Sequence, residues 1–540
     1  MNLLLLLLAC PPTPEKKPDS AGGADSELPA GDPTCTALGL PTRPFDATGP
    51  SALQRHQPAG DFSVPLRDGS VWTLSEHWTG CESYVFLPHW FSVDDLDDSS
   101  WWTTGVDELI ARSPRNVHYF FVTAGSRDRD AEAITAALEE DIQSAFTGLS
   151  AEDLAWWQEH IHVVQGMSAE VGGLVTDMFR ADVGALGWAI DREQKLRTLG
   201  YFPAVGAYDS ALARQDLWPW EMRLYSAAYE PEYFNFLVER QARMDAETVT
   251  TVPVFDGSVV QMCVEGPLNL PDAAEMAGYD TLEIEVRMEC PDKDKMEINN
   301  CGAWDYIANY WVDDGTGTWL EISRFITTYH RESHWLVDGS HALAWLKEGG
   351  TRNSRYCWAP EWNQQPTGVT LNARLSNRGK GSRPQEIVDL FTGGAFVSTY
   401  NDREPVEVAI PAGAKKVELV AIITGHGMDS STNCAEFCDH EHHFSVNGTE
   451  YSYNLDDPGI DDGCAQMVGT GTVPNQAGTW WFGRGGWCPG REVAPFVVDV
   501  TENVTPGSTA TISYRGTLEG GEPVDGSGNI EMRSWLVVSY

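Results

Sequence analysis

Basic residues are scarce: 36 Lys and Arg stand against 79 Asp and Glu, a net charge of −43 with histidine neutral. A phosphate backbone meets repulsion from such a chain instead of releasing counterions to it, so nucleic acid is excluded as a partner. Long apolar runs are missing as well. Leu3 to Leu8 is the conspicuous one, and neither it nor any other stretch approaches the roughly 18–20 residues a spanning helix needs, so no transmembrane helix is expected. The composition also lacks the polarity of a disordered acidic chain, because 42% of residues are hydrophobic and 11% aromatic, enough for several cores. At 540 residues, with about 100–200 per domain, about three domains are expected.

The start has no Lys or Arg beside Met1 and Asn2, yet Leu7-Leu8-Ala9-Cys10 resembles a bacterial lipobox, in which the cysteine is acylated and becomes the mature N-terminus. The expectation is a signal over 1–10, a lipid on Cys10 as the membrane contact, and a flexible Pro-, Gly-, Ala- and Asp-rich linker over 11–57. Eleven cysteines, scattered through turn-rich sequence, point to disulfides and an oxidising compartment; without Cys10 ten remain, compatible with five bridges. The localisation implied is an outer-membrane or cell-surface lipoprotein, or a secreted protein.

From Gly60 the pattern is regular. Asp61 to Pro65, the Asp68-Gly69 turn, Val71 to Leu74 and the apolar Tyr84 to Leu87 lead to strand candidates at Val117–Val122 and Ile161–Val164. Helical spacing over Ala131–Phe146 and Ala151–His160 alternates with them, and Gly187–Ile190 with Lys195–Leu199 reads as a hairpin. A closing helix is marked by Phe234, Leu237 and Val238. This order resembles the thioredoxin-like fold, over residues 58–248. Where that family carries Cys-x-x-Cys, this chain has Leu87-Pro88-His89-Trp90-Phe91, so thiol redox chemistry has no nucleophile. Cys81 then reads as half of a structural bridge, with Cys35 as its candidate partner.

After Val249 helix signal is nearly absent, and short alternating segments such as Thr281–Val286, Val417–Ile423, Phe496–Val500 and Thr509–Tyr514 are cut by Gly, Pro, Asn and Asp clusters. Two β-sandwiches are expected, 249–380 and 381–540, joined near Asn377–Ser382. The fold class is thus an α/β domain followed by all-β domains. Three constellations stand out: Glu289-Cys290-Pro291 with Cys301-Gly302-Ala303-Trp304-Asp305-Tyr306 and Glu321–Thr327; Asn433-Cys434-Ala435-Glu436-Phe437-Cys438; and Gly485-Gly486-Trp487-Cys488-Pro489-Gly490. Together they resemble the peptide-N-glycosidase F family over residues 250–540.

That resemblance implies two adjoining jelly-roll-like sandwiches with an active site in the cleft between them, no metal and no cofactor. It implies N-glycosylated proteins or glycopeptides as partners and hydrolysis of the amide joining glycan to asparagine. By position it makes Asp305, behind Trp304, the catalytic aspartate, and Glu436 the second acid. Arg484 and Trp487 are implied to line the site and bind substrate, and Trp304 and His426 are further substrate-contact candidates. Glu361, before Trp362, is the counterpart offered for a third acidic residue. Bridges Cys290–Cys301, Cys434–Cys438 and Cys464–Cys488 are implied too. Tyr306 stands where the family has arginine. An amide carbonyl is a poor electrophile and water a poor nucleophile, so a base, a positioning acid and fixed positive charge suit the reaction.

Other features carry competing readings. His440, His442 and His443, with His426, are residue types that bind copper or zinc; because the two-sandwich fold is shared with copper monooxygenases, metal-dependent oxidation is an alternative. In a strand, His440 and His442 share a face and His443 points away. A non-catalytic glycan- or peptide-binding surface protein is another alternative. Asp94–Asp98 and Asp456–Asp462 lack EF-hand spacing and read as solvated loops. The pairs Trp101-Trp102 and Trp480-Trp481 read as exposed, the latter as a glycan platform beside Arg484. Asn447-Gly448-Thr449 and Asn503-Val504-Thr505 match the glycan acceptor pattern.

Overall fold

A computed structural model describes residues 33–50, 52–89, 105–123, 128–180, 187–200, 224–297, 300–363, 365–428, 433–455 and 462–540. Cys10, Trp90, Phe91, the Asp94–Asp98 run, Trp101-Trp102 and most of Asp456–Asp462 lie outside them.

The N-terminal part opens with a hairpin, β1 (Ser63–Pro65) and β2 (Val71–Thr73), and then builds one mixed sheet. Its strands are β3 (Ser83–His89), β4 (Val117–Thr123), β5 (Ile161–Met167), β6 (Trp188–Ile190) and β7 (Leu196–Thr198), in spatial order β5-β4-β3-β6-β7. The three strands β3, β4 and β5 are parallel, and the β6–β7 hairpin adds antiparallel. Such a centre is covered on both faces, which is why β4 is buried along its whole length and reads as an unbroken apolar run. The two-residue period divides it: Tyr84, Phe86, Phe120 and Val122 enter one core, Val85, Leu87, Tyr119 and Phe121 the other. The helices Asp128–Phe146, Ala151–His160 and Tyr229–Ala246 lie where apolar spacing marks them. Ser150 caps the second by accepting from the Asp153 amide at 3.1 Å.

Packing begins earlier than the linker expectation allowed. Pro33–Leu38 is helical, Cys35 is buried and bridged to Cys81, and the Arg55 side chain is buried against Glu332 at 2.8 Å. A chain fixed by a disulfide and a desolvated ion pair is no free tether, so the expected linker is anchored to the folded unit at Cys35 and at Arg55.

The rest of the chain is dominated by antiparallel sheets. The first sandwich comprises β8 (Val249–Val260), β9 (Cys263–Asp272), β10 (Thr281–Glu289), β11 (Ile307–Asp313), β12 (Trp319–Ile326), β13 (Ser333–Asp338), β14 (Gly349–Cys357) and β15 (Thr367–Ser376). They form sheets β13-β10-β15-β8 and β12-β11-β14-β9 around a core with Leu282, Ile284, Tyr310, Ile322, Trp335 and Leu371. The second contains β16 (Pro384–Ala395), β17 (Val406–Ala409), β18 (Lys416–His426), β19 (His440–Val446), β20 (Thr449–Leu455), β22 (Phe496–Asp499), β23 (Thr509–Leu518) and β24 (Asn529–Ser539), and the same stretch of chain sends β21 (Glu492–Val493) to the edge of the first sandwich. The sheets of the second are β16-β24-β18-β22 and β17-β23-β19-β20.

Strands β18 and β24 face two cores at once. Leu419, Ala421, Ile423, Leu536 and Val538 point into their own sandwich, while Val420, Ile422, Trp535 and Val537 meet Ile326, Trp487 and Val493 between the sandwiches. The short β21, late in sequence, pairs with β12 at Arg324↔Val493 and Phe325↔Glu492, and so stitches the second half onto the first. Arg324 completes the seam by donating to Thr424 Oγ1 at 2.9 Å and to the Glu531 carbonyl at 2.6 Å. Among the described residues there are five disulfides: the four named so far, Cys35–Cys81, Cys290–Cys301, Cys434–Cys438 and Cys464–Cys488, and Cys263–Cys357, which joins β9 to β14.

Candidate active site

Asp305 lies between bridged Cys301 and β11, on a segment pinned by Thr327 at the end of β12. The Tyr306 amide donates to Thr327 Oγ1 at 2.7 Å, and that hydroxyl donates to the Trp304 carbonyl at 2.6 Å. Glu436 sits inside the Cys434–Cys438 loop, with its amide donating to the Gly427 carbonyl at 3.2 Å and its carbonyl accepting from the Gly485 amide at 2.8 Å. Glycine is required at 425 and 485, since a Cβ at either position would overlap the Ala435 carbonyl and the His440 ring. Close backbone approach thereby sets the Glu436 loop directly against the segment carrying Arg484.

Arg484 joins the two acids. Its Nη2 lies 3.5 Å from Asp305 Oδ2 and its Nε 3.2 Å from Glu436 Oε1. The Arg484 side chain is fully buried, whereas those of Asp305 and Glu436 keep 17% and 20% of their surface accessible, so of the three only the two acids reach solvent. Arg484 also donates to the Thr479 carbonyl and to Thr479 Oγ1, both at 2.9 Å, and lies over the Trp487 and Phe437 rings at 4.8 and 4.9 Å. The sandwich-derived acids, 131 positions apart in sequence, thus share one desolvated cation.

Burial pushes the Asp305 carboxyl up, and the Arg484 charge and the Tyr329 hydroxyl oppose this only in part. Glu436 is raised by burial too, with Arg484 pulling down and the Asp305 charge pushing up. Arg484 ends above its ordinary value, because the desolvation that would lower it is outweighed by Tyr329, Asp305 and Glu436. Tyr329 is held neutral by burial and by the Asp305 charge.

Several expected contacts are relocated. Arg484 and Trp487 were expected to touch substrate, but Arg484 is sealed from solvent, and Trp487 is only 6% exposed with its Nε1 donating to the Gly425 carbonyl at 2.8 Å. His426 stacks on Trp487 with ring centroids 5.3 Å apart, and burial, with the Arg324, His440 and Arg484 charges, lowers its pKa to about 3. Trp304 is 54% exposed beside the site, its ring edge-on to Tyr329 at 6.5 Å. Glu361 is exposed, and among the described residues no hydrogen bond or ion pair links it to Asp305, Glu436 or Arg484. Its neighbour Trp362 is 64% exposed and stands edge-on to Tyr306 at 5.6 Å.

The Trp480-Trp481 platform is overturned. Both rings are wholly buried, Trp480 packing edge-on against Tyr229 at 5.9 Å, because the N-terminal unit covers them. His440 and His442 do share a face of β19, where His440 Nδ1 lies 2.9 Å from His442 Nε2 and His442 Nδ1 lies 2.7 Å from the Tyr514 hydroxyl. They form a buried hydrogen-bonded chain, and among the described residues no metal-competent group includes them. Tyr329 and Thr479 carry no motif and were missed; Tyr329 follows β12 after Thr327 and Thr328, and nothing in its sequence surroundings marks it.

Residues 397–539 match the family model described as Peptide-N-glycosidase F, C terminal, a span that includes Glu436, Arg484 and Trp487. The peptide-N(4)-(N-acetyl-β-D-glucosaminyl)asparagine amidase F of Elizabethkingia miricola is 25% identical over 295 residues, covering 50% of this chain and 78% of that protein. Among solved structures, a crystal structure of peptide-N(4)-(N-acetyl-β-D-glucosaminyl)asparagine amidase aligns at 20% identity over 54% of this chain and 96% of that one, with a TM-score of 0.45. PNGase F, a glycosylasparaginase from Flavobacterium meningosepticum, aligns at 22% identity over the same shares with a TM-score of 0.43.

Proposed function

We propose that this chain, related through its second half to peptide-N-glycosidase F, is an amidase that hydrolyses the bond between an N-linked glycan and the asparagine side chain of a glycoprotein or glycopeptide. The observation that carries the reading is the single buried guanidinium of Arg484 touching Asp305 and Glu436, each with an accessible edge.

Asp305 is the base. It takes a proton from a water as that water attacks the amide carbon; the C–N bond then breaks and the proton passes to the departing nitrogen. The products are an aspartate side chain and a glycosylamine. Glu436 holds the first sugar or the attacking water, which makes the attack effectively intramolecular. Arg484 supplies fixed positive charge in a dry setting and keeps both acids in register without meeting substrate. Exposed Trp304 and Trp362 offer apolar ring faces for sugar or peptide.

The order of the mixed sheet, its three parallel strands and the closing helix Tyr229–Ala246 support a thioredoxin-like unit whose redox cysteines are missing. The bridged cysteines and the Cys10 lipobox support an exported head on a lipid anchor. The test of the amidase reading is the end group of the glycan released from a denatured N-glycoprotein. A glycosylamine with aspartate left behind is expected; a reducing sugar with N-acetylglucosamine left on asparagine would mean glycosidic cleavage and defeat it.

A further inference from the structure

The N-terminal unit lies outside the stretch matched to the family, yet its core does not end at its own boundary. Tyr225, Tyr229, Tyr233 and Phe234 pack in one cluster with Tyr329, Trp480 and Phe482 of the sandwich half. Within that contact sits Glu230, at the start of the helix Tyr229–Ala246, with no exposed surface. One of its oxygens, Oε1, accepts from Arg331 Nη1 at 2.5 Å and from Asn475 Nδ2 at 3.0 Å.

Each donor leads to the site by a short covalent path. Arg331 is two residues after Tyr329, whose hydroxyl is 3.5 Å from Arg484 Nη2 and hydrogen-bonds Asp305. Asn475 is four residues before Thr479, which takes two hydrogen bonds from Arg484. The arms are also tied together, since Arg331 Nη1 donates to the Pro474 carbonyl at 2.6 Å and the Tyr329 amide donates to Gln476 Oε1 at 2.9 Å. Arg331 Nη2 reaches back to the Thr198 carbonyl at 2.9 Å, and Asn475 Nδ2 to the Ser226 carbonyl at 3.1 Å, both in the N-terminal unit. Asn475 holds a left-handed backbone, φ 49°, a conformation that persists where surrounding contacts fix it.

From this geometry we infer that Glu230 is a positioning residue for the Asp305–Glu436 pair, and that the N-terminal unit is an integral part of the catalytic assembly and not an independent appendage. It acts by clamping two segments of the sandwich half whose other ends present Tyr329 and Arg484. A carboxylate is suited to this, because one oxygen takes two donors while its charge, together with that of Glu297 at 3.3 Å from Arg331 Nε, answers a guanidinium that is almost wholly buried. The inference rests on the amidase reading for its kinetic test only.

The experiment compares the full-length protein with Glu230→Gln, Asn475→Ala and the exposed same-helix control Glu239→Gln, reading kcat, KM and the acid limb of the pH profile on a glycopeptide. Glu230→Gln is expected to lower kcat at least tenfold with KM within about twofold, and to move the acid limb to higher pH as Arg484 drifts from Asp305; Asn475→Ala does the same more weakly, and Glu239→Gln does neither. A Glu230→Gln protein with a lower Tm but unchanged kcat and acid limb would overturn the inference, and if that variant does not fold, unchanged values in Asn475→Ala would do so. If the wild-type protein releases no glycan, the amidase reading fails by itself. The clamp is then read from the Asp305 carboxyl titration by carbon NMR, shifted upward in Glu230→Gln if the inference holds and unmoved if it does not.

Discussion

A general base works best when its pKa is brought toward the working pH, and burial moves Asp305 in that direction while Arg484 and Tyr329 keep the ionised form attainable. Asp305→Asn should therefore lower kcat by about 10²–10⁴-fold, the usual span for general-base catalysis. Stability should respond in the opposite sense. A carboxyl whose folded pKa lies above its unfolded value of about 4 binds more protons folded than unfolded between those values, so it costs stability once pH exceeds the folded pKa. At neutral pH the Asp305→Asn protein should consequently melt at the same or a higher temperature than wild type, measured by calorimetry. The same direction of shift at Asp305 and Glu436 sets the activity profile: kcat/KM should fall with acidification at a pH above the ordinary carboxylate range near 4. An acid limb at or below pH 4 would show that neither group titrates as its surroundings require.

At the scale of elements, the Cys434–Cys438 loop is too short for its bridge to add much through the unfolded chain, since loop-closure entropy grows with loop length. Its effect lies in holding Glu436 against Gly485. Replacing both cysteines with serine should cost well under the ~3 kcal/mol associated with a 15-residue loop, yet lower kcat at least tenfold; denaturant melts and kinetics on one preparation separate the two. Strands were readable in the sequence where one physical period governed them. Tyr84–Leu87, Val117–Val122 and Val417–Ile423 alternate between two apolar surroundings or run fully buried, and they fold as strands at those places. The two-residue β21 has too little pattern to betray an element, although it ties the sandwiches together. Asp305, Glu436 and Arg484 were singled out only through the resemblance of the cysteine-anchored motifs to the peptide-N-glycosidase F family; their own spacing does not mark them, and the structure brings the three side chains together. Tyr329 and Thr479 were not singled out, because their part in the site is a product of tertiary contact. Trp480 and Trp481 misled for the same reason: beside a polar Gly-Arg-Gly-Gly run they look exposed, and the surface that covers them comes from a helix some 250 positions earlier.

On the scale of the whole molecule, the N-terminal sheet and the sandwiches share a continuous core, and the sandwiches share another through Ile326, Trp487, Trp535 and Val537. Removing one large ring from the first of these contacts leaves a cavity on both sides, so Trp480→Ala should cost about 3–5 kcal/mol, read as a lowered denaturant midpoint. It should also depress kcat, since Trp480 lies between Thr479 and Arg484 on the segment that the N-terminal unit holds. The strongly acidic composition leaves this chemistry aside and acts on solubility. Whether water adds to a glycosylated asparagine amide under the control of Asp305 is tested directly by mass spectrometry of a denatured glycoprotein digested in heavy-oxygen water. Wild-type protein should convert the acceptor asparagine into aspartate carrying one heavy oxygen, and Asp305→Asn should leave it as glycosylated asparagine; unconverted asparagine with the wild type, or equal labelling by the variant, would contradict this chemistry.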